Sequence, residues 1–338
     1  MDSIGQIAAI REKIRPWVNG CVAVSANSAN DLRGIFRGAL LPAVFALAAN
    51  SAVGVEAISV VDDIGRTVTL ERPAGRIVSL APHVTENLFA AGVGEQVAGV
   101  VSYSDYPPAA RRLPLVGGYN NISIEAILAL QPDLVIAWKE GNQYQQVERL
   151  MKLGVTVFVT EPSRLEDVAG DIVRYGILGG REAHARRVAQ QYRASLSRLR
   201  NQYSGLEQVS VFYQVWPNPL ITVTDRQLIG KVIRLCSGRN IFAGLDTPTP
   251  QVSTEAVLTA NPDVVIASGM NEARPDWLDE WQRWSFLNAA RYANLFFIDP
   301  DIIQRHTPRI LLGARQLCEI LEQSRKNISA ARPAETAH

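Results

Sequence analysis

The sequence predicts an α/β protein of two Rossmann-like lobes, each on a central, mostly parallel sheet, joined by one long helical segment. Three observations carry this. A fifteen-residue unit occurs twice, SIEAILALQPDLVIA at 123–137 and STEAVLTANPDVVIA at 253–267, identical at nine positions and offset by 130 residues. Short apolar runs bounded by Gly, Pro and Asp recur in both halves, the pattern of strands buried on both faces. Residues 163–203 hold two segments of helical period divided only by Gly179-Gly180, with no flexible Gly/Ser linker.

The two copies share one physical grammar. Ser123 and Ser253 stand where a helix N-cap belongs, able to accept a bond from a free N–H of the first turn. Glu125 and Glu255 follow inside that turn, where the helix dipole favours a negative charge. Pro132 and Pro262 end the helix by forcing their predecessors out of helical geometry. Asp133 and Asp263 turn the chain, and LVIA and VVIA are buried strands. Each lobe therefore presents one acidic helix start at an equivalent place.

In chain order, residues 1–57 read as a targeting segment. Arg33 and Arg37 precede the apolar, Ala-rich GALLPAVFALAANSAV. This is the layout of a secretory signal peptide, with an uncleaved anchor as the alternative. Residues 58–160 form the first lobe. ISVV, the Asp63–Arg66 turn and the return past Val68 and Leu70 make a hairpin, and Arg76–Leu80 is the first core strand. Thr85-Glu86 opens a helix closed by Gly92, and Val97–Val101 is the next strand. Tyr103, Tyr106, Tyr119 and Trp138 fall on the loops SYSDYPP, VGGYNN and WKEGN. Ligands in open parallel sheets sit beyond the carboxyl ends of the strands, so these aromatics suggest a flat apolar wall, with Tyr106 packed inward on Pro107. Residues 161–206 are the connecting helical segment and 207–326 the second lobe. There Trp216 follows a strand, a polar loop spans Asp299–His306, and a last helix runs from Pro308 to about Glu322. The tail 327–338 is expected to be disordered.

The chain has 338 residues, 47% hydrophobic and 20% charged, with a net charge of +1. That balance belongs to globular protein and argues against nucleic acid, which usually demands a basic face. Of three cysteines, Cys21 lies in the targeting segment. Cys236 and Cys318 remain as one disulfide in an oxidising compartment, or as two buried thiols. No nucleophile, metal or phosphate motif stands in its required context. Glu125 and Glu255 form a paired-carboxylate site only if the lobes bring them together. Otherwise they are helix-start charges, or a two-point dock for paired arginines on a partner. His83, after Pro82 at a strand exit, is the one candidate metal contact singled out, with His306 behind it.

The runs DDIGRTVTLERPAGRIVSLAPHVTENLFAAGVGEQVAGV, SYSDYPP, IEAILALQPDLVIAW and VSTEAVLTANPDVVIA resemble the periplasmic substrate-binding proteins of ABC importers. The subgroup is the one whose lobes are joined by a single long helix, which serves cobalamin, haem and iron–siderophores. SYSDYPP, IAWKEGN, LCSGRNIF and TPRILLGARQLCEIL look most like its cobalamin-binding members. The resemblance covers about 58–325. It implies a periplasmic, monomeric, non-enzymatic protein without a cofactor of its own. Such a protein takes a corrinoid into a cleft between the lobes and passes it to a transmembrane permease dimer. By the same resemblance, Tyr103, Tyr119 and Trp138 pack on the corrin and Trp216 supplies a further surface where Val215 replaces an aromatic. Asp301 and Arg305 make polar contacts, Glu125 and Glu255 dock on permease arginines, and Cys236 pairs with Cys318. Haem or an iron–siderophore is the alternative ligand, and a secreted metal- or carboxylate-dependent hydrolase the remote alternative function.

Overall fold

The computed structural model describes residues 57–269 and 274–335. The targeting segment expected over 1–57 lies, but for Ala57, outside them. Among the described residues no helix is long and apolar enough to cross a membrane. β1 (Ile58–Val61) and β2 (Thr67–Leu70) form the expected hairpin, with Ile58 opposite Leu70. β3 (Ile77–Ser79) leads into α1 (Pro82–Ala90). The helix starts at Pro82, not at Thr85, because proline's missing N–H and fixed φ suit a first helical position. β4 (Val97–Val100) follows, and β5 (Gly117–Gly118) and β6 (Asn121–Ile122) make a tight hairpin tipped by Tyr119. Gly117 holds φ at +114°, and a Cβ there would meet the Asn121 carbonyl at 2.6 Å. α2 (Ile124–Ala129), β7 (Leu134–Trp138), α3 (Tyr144–Lys152) and β8 (Val157–Thr160) complete the lobe. Its parallel sheet has the order β4-β3-β7-β8.

The connection is α4 (Asp167–Leu178) packed against the 22-residue α5 (Glu182–Tyr203). The second lobe contains β9 (Val209–Pro217), β10 (Leu220–Thr222), α6 (Leu228–Leu235) and β11 (Gly238–Asn240). It continues through α7 (Thr254–Ala260), β12 (Val264–Ala267), α8 (Asn288–Arg291) and β13 (Leu295–Phe297). α9 (Pro300–Ile303) and α10 (Ile310–Glu335) end it. β9 is central, parallel to β11 and β12 and antiparallel to β10, with β13 beyond β12. β11 is a strand that sequence reasoning misses, since its three residues, GRN, carry no apolar side chain. The last helix passes the end expected near Glu322 and takes in most of the segment expected to lack order.

The duplication is structural as well as sequential. Ser123 Oγ accepts from the Ala126 N–H and Ser253 Oγ from the Ala256 N–H, each at 3.2 Å. Gln131 and Asn261, the residues before the two prolines, both take positive φ, 45° and 42°. Asp133 and Asp263 do more than turn the chain. Asp133 accepts from the Gly75 and Arg76 N–H groups, and Asp263 from the Ser210 N–H and hydroxyl. Each aspartate thus bolts its helix–strand corner to the start of the neighbouring strand, β3 or β9. Those pairings set equivalent registers, Ile77 beside Leu134 and Val211 beside Val264.

Side chains alternate between layers, as strand geometry requires. Ile77, Leu134, Ile136, Val211, Tyr213, Val264 and Ile266 face one continuous core shared with α1, α4, α5, α6 and α10. Val78, Val135 and Ala137 face a second core under α2 and α3. Phe212, Val265 and Ala267 face a third, with Leu278 and Trp281 from a 3-10 stretch at Asp276–Arg283. The Cys236–Cys318 disulfide forms between the end of α6 and α10, with an S–S distance of 2.01 Å. It closes a loop of 82 residues, worth at most about 4–5 kcal/mol in the chain-entropy view.

Candidate functional site: an aromatic and ionic seam between the lobes

The strand exits of the first lobe converge on Asn142. This buried side chain accepts from the Trp138 N–H at 2.6 Å. It donates to the Leu80 carbonyl at 2.9 Å and to the Tyr119 carbonyl at 2.6 Å. One amide therefore ties the ends of β3 and β7 to the tip of the β5–β6 hairpin. Gly141 does the complementary steric work, since a Cβ there would come within 1.9 Å of the Trp138 ring. Held this way, Trp138 lies 6.0 Å from the Tyr119 ring, centroid to centroid, and meets His83 edge-on at 5.1 Å.

The opposing lobe reaches this wall through His306, whose ring is 5.8 Å from that of His83. Asn87 Nδ2 donates to the His306 carbonyl at 2.9 Å. His83 is buried and its Nε2 meets no hydrogen-bond partner. An unpaired buried polar atom costs about 1–3 kcal/mol. Burial, then the neighbouring His306 and Arg305, hold its pKa well below the ordinary histidine value. Burial and then Lys231 bring His306 down to about 4. Both imidazoles are neutral at physiological pH.

Beside the rings lies an ion cluster that crosses the seam. Glu86 on α1 accepts from Arg305 at 2.9 Å and from Arg309 at 2.7 Å, both from the second lobe. Arg305 also pairs with Asp105 at 2.8 Å and with Asp301 at 2.8 Å. The Arg309 guanidinium lies 4.0 Å over the Tyr106 ring. Burial works against the Asp105 charge, but Arg305 outweighs it and holds the carboxyl below its usual range. At Asp301 burial prevails and raises the pKa despite Arg305. Glu86 is the buried member, its side chain 2% exposed, and leaving a buried charge without its partner typically costs about 3–5 kcal/mol.

The expected site residues therefore divide. Tyr119, Trp138 and His83 share ring contacts, and Asp301 and Arg305 share the ion cluster. Tyr103 stands 72% exposed at φ 67° on the loop after β4. Trp216 is not on a strand-exit loop: it lies within the β9–β10 hairpin opposite Ile221, 39% exposed, its Nε1–H donating to the Asn218 carbonyl. Tyr106 is not packed inward on Pro107, because Arg309 draws its ring toward the seam and leaves it 42% exposed. Glu125 and Glu255 are exposed on their separate helices. The Glu255 carboxyl is held below its usual range by its own N–H and by Ser253. Glu86, Asp105, Arg309 and Asn142 escaped sequence reasoning. Their signals were the strand-exit loops SYSDYPP and WKEGN, which hold Asp105 and Asn142, and the polar run HVTEN, with only Val84 apolar, which holds Glu86. A hollow of about 440 Å³ elsewhere is lined by Arg164, Glu166, Arg200, Lys231 and Arg234 and includes none of the aromatics. Its charged walls make it a poor bed for a flat apolar ring. Among the described residues no group of three or more His, Cys, Asp or Glu is placed to hold a metal ion.

Residues 77–302 match the family model described as periplasmic binding protein. The vitamin B12-binding protein of Vibrio parahaemolyticus serotype O3:K6 is 36% identical over 255 residues, which are 75% of this chain and 92% of that protein. The crystal structure of the periplasmic vitamin B12 binding protein of Vibrio cholerae superposes with a TM-score of 0.70. It is 36% identical, and the match covers 75% of this chain and 99% of that one. A periplasmic haem-binding protein from Roseiflexus sp. RS-1 shares the fold, with a TM-score of 0.65 and 24% identity over 74% of this chain and 99% of that one. Two parallel-cored lobes, the seam between them and a match spanning most of the chain agree, and this chain belongs to the periplasmic binding protein family.

Proposed function

We propose that this protein captures cobalamin or a related corrinoid between its lobes in the periplasm and delivers it to the permease of an ABC importer. The observation that carries the reading is the pair of rings Trp138 and Tyr119, fixed at the strand exits by Asn142 and adjoining His83, which meets His306 of the other lobe. A corrin is a large, nearly flat ring with amide edges, and it suits broad apolar faces with a few polar anchors. Tyr103 and Trp216, both exposed, extend the apolar surface. Asp301 and Arg305 meet the amide edge. Arg305 is already paired with three carboxylates, which disfavours an anionic iron–siderophore. The vitamin B12-binding relatives support the same choice. Haem is the second reading, favoured by the neutral, unpartnered His83 nitrogen, since imidazole is a common axial ligand to haem iron. The hydrolase reading gains nothing from Glu125 and Glu255, which are exposed charges on separate helices.

Calorimetry on the mature protein tests the proposal. One cobalamin should bind per chain with nanomolar affinity, with haemin and ferric siderophores much weaker. Tight haemin binding without cobalamin binding overturns the corrinoid reading and leaves the family assignment in place.

A further inference from the structure

We propose that the charged hollow at the end of α5 is a second binding site, one that takes a small molecule bearing a phosphate group. It is separate from the seam and independent of the cargo held there. The hollow, about 440 Å³, is bounded by three segments of the chain. Arg164 and Glu166 come from the entry to α4, Arg200 from the last turn of α5, and Lys231 and Arg234 from α6. Four cations and one carboxylate therefore line it.

Each guanidinium is steadied by a carboxylate: Arg164 by Asp167, Arg200 by Glu166 and Arg234 by Asp225. A guanidinium has five N–H donors. These pairs use two from Arg164 and one each from Arg200 and Arg234. The forks are thus held in place with most of their donors left for a ligand, which lowers the cost of ordering them on binding. Lys231 differs. It pairs with no carboxylate among the described residues, and its Nζ donates only to the Ser163 and Arg226 carbonyls. Burial holds its pKa below the ordinary lysine value, and Asp167 and Asp225 offset this only in part. An anion in the hollow completes the compensation.

The arrangement selects the class of anion. Donors that converge from three segments suit a tetrahedral oxyanion, whereas a planar carboxylate takes a single fork along one edge. Arginine forks and a lysine point charge are the usual partners of phosphate. A water claims about 30 Å³ of liquid, so the hollow has room beyond one phosphate group for a second or for a short polar chain. Ser204 and Ser237 on its wall fit such a chain. α5 carries five arginines and one glutamate, in a chain whose net charge is only +1. That local positive field concentrates anions at the mouth of the hollow.

The probes are pyrophosphate and glycerol 3-phosphate, titrated separately into the mature protein by calorimetry at physiological ionic strength. At least one of them should bind once per chain, and the preference between them tells a condensed phosphate from a phosphomonoester. Lys231→Met keeps the length of the side chain and should weaken binding about tenfold, the worth of one charge-assisted bond. Arg234→Gln alters an exposed side chain, should cost a similar factor, and stands in if Lys231→Met does not fold. Arg187→Gln, exposed on α5 but outside the hollow, should leave the affinity unchanged. Absence of saturable binding by both probes overturns the inference, and so does undiminished binding in Lys231→Met and Arg234→Gln. An equal loss in Arg187→Gln overturns it as well, because it shows diffuse attraction to α5 in place of a built site.

Discussion

At the scale of single residues, the organising group is Asn142 rather than any aromatic. Its amide satisfies three backbone groups on three segments. Asn142→Ala should therefore leave two carbonyls and an N–H without their partner and destabilise the protein by about 1–3 kcal/mol. Under the proposed function it should also weaken cobalamin binding, because Tyr119 and Trp138 lose their common anchor. Thermal melts and calorimetry on one preparation check this. Unchanged affinity in a folded variant contradicts the anchoring role. The aromatics themselves were legible in the sequence, since tyrosines and tryptophans at strand exits follow from the sheet rule. Asn142, Glu86 and Arg309 were not. Asn142 reaches Tyr119 and Leu80 across 23 and 62 residues and Glu86 meets Arg309 across 223, and neither periodicity nor spacing encodes such pairings. Tyr106 went astray for the same reason: its neighbour in sequence is Pro107, but its partner in space is Arg309.

At the scale of elements, the repeated helix–strand unit was legible almost to the residue, down to both serine caps. Such short-range chemistry is written in adjacent residues. β11 was invisible because it borrows its strand geometry from β9 and has no pattern of its own. The long continuation of α10 was missed because its polar composition reads as tail. The paired helix starts bear on the proposed docking. Glu125→Ala and Glu255→Ala should leave the melting temperature near wild type, because both side chains are exposed. Cobalamin affinity should also stay near wild type. Complex formation with the permease should fall about thirtyfold or more for either variant, since a desolvated arginine socket is left empty. Pull-down and uptake assays measure this, and wild-type uptake by both variants would reduce the two glutamates to favourable helix charges.

At the scale of the whole molecule, one core runs through both sheets and both connecting helices, and the ion cluster spans the seam above it. The lobes are therefore expected to move by only a few degrees when ligand enters. Small-angle scattering with and without cobalamin should give the same radius of gyration within error, and a clear compaction would show a hinge that this core does not provide. The internal duplication has a further consequence for how such a rigid body meets its permease. The two capped helices, their left-handed ends at Gln131 and Asn261 and their aspartate bolts are copies. Under the proposed docking, a permease of two identical halves would take this repeated unit in two ways, half a turn apart, with each glutamate in either socket. Encounter then has two productive orientations where an unduplicated protein would have one, an advantage of about 0.4 kcal/mol from counting alone. Under the same proposal the cargo, held between the lobes, would arrive over the same entrance in both orientations.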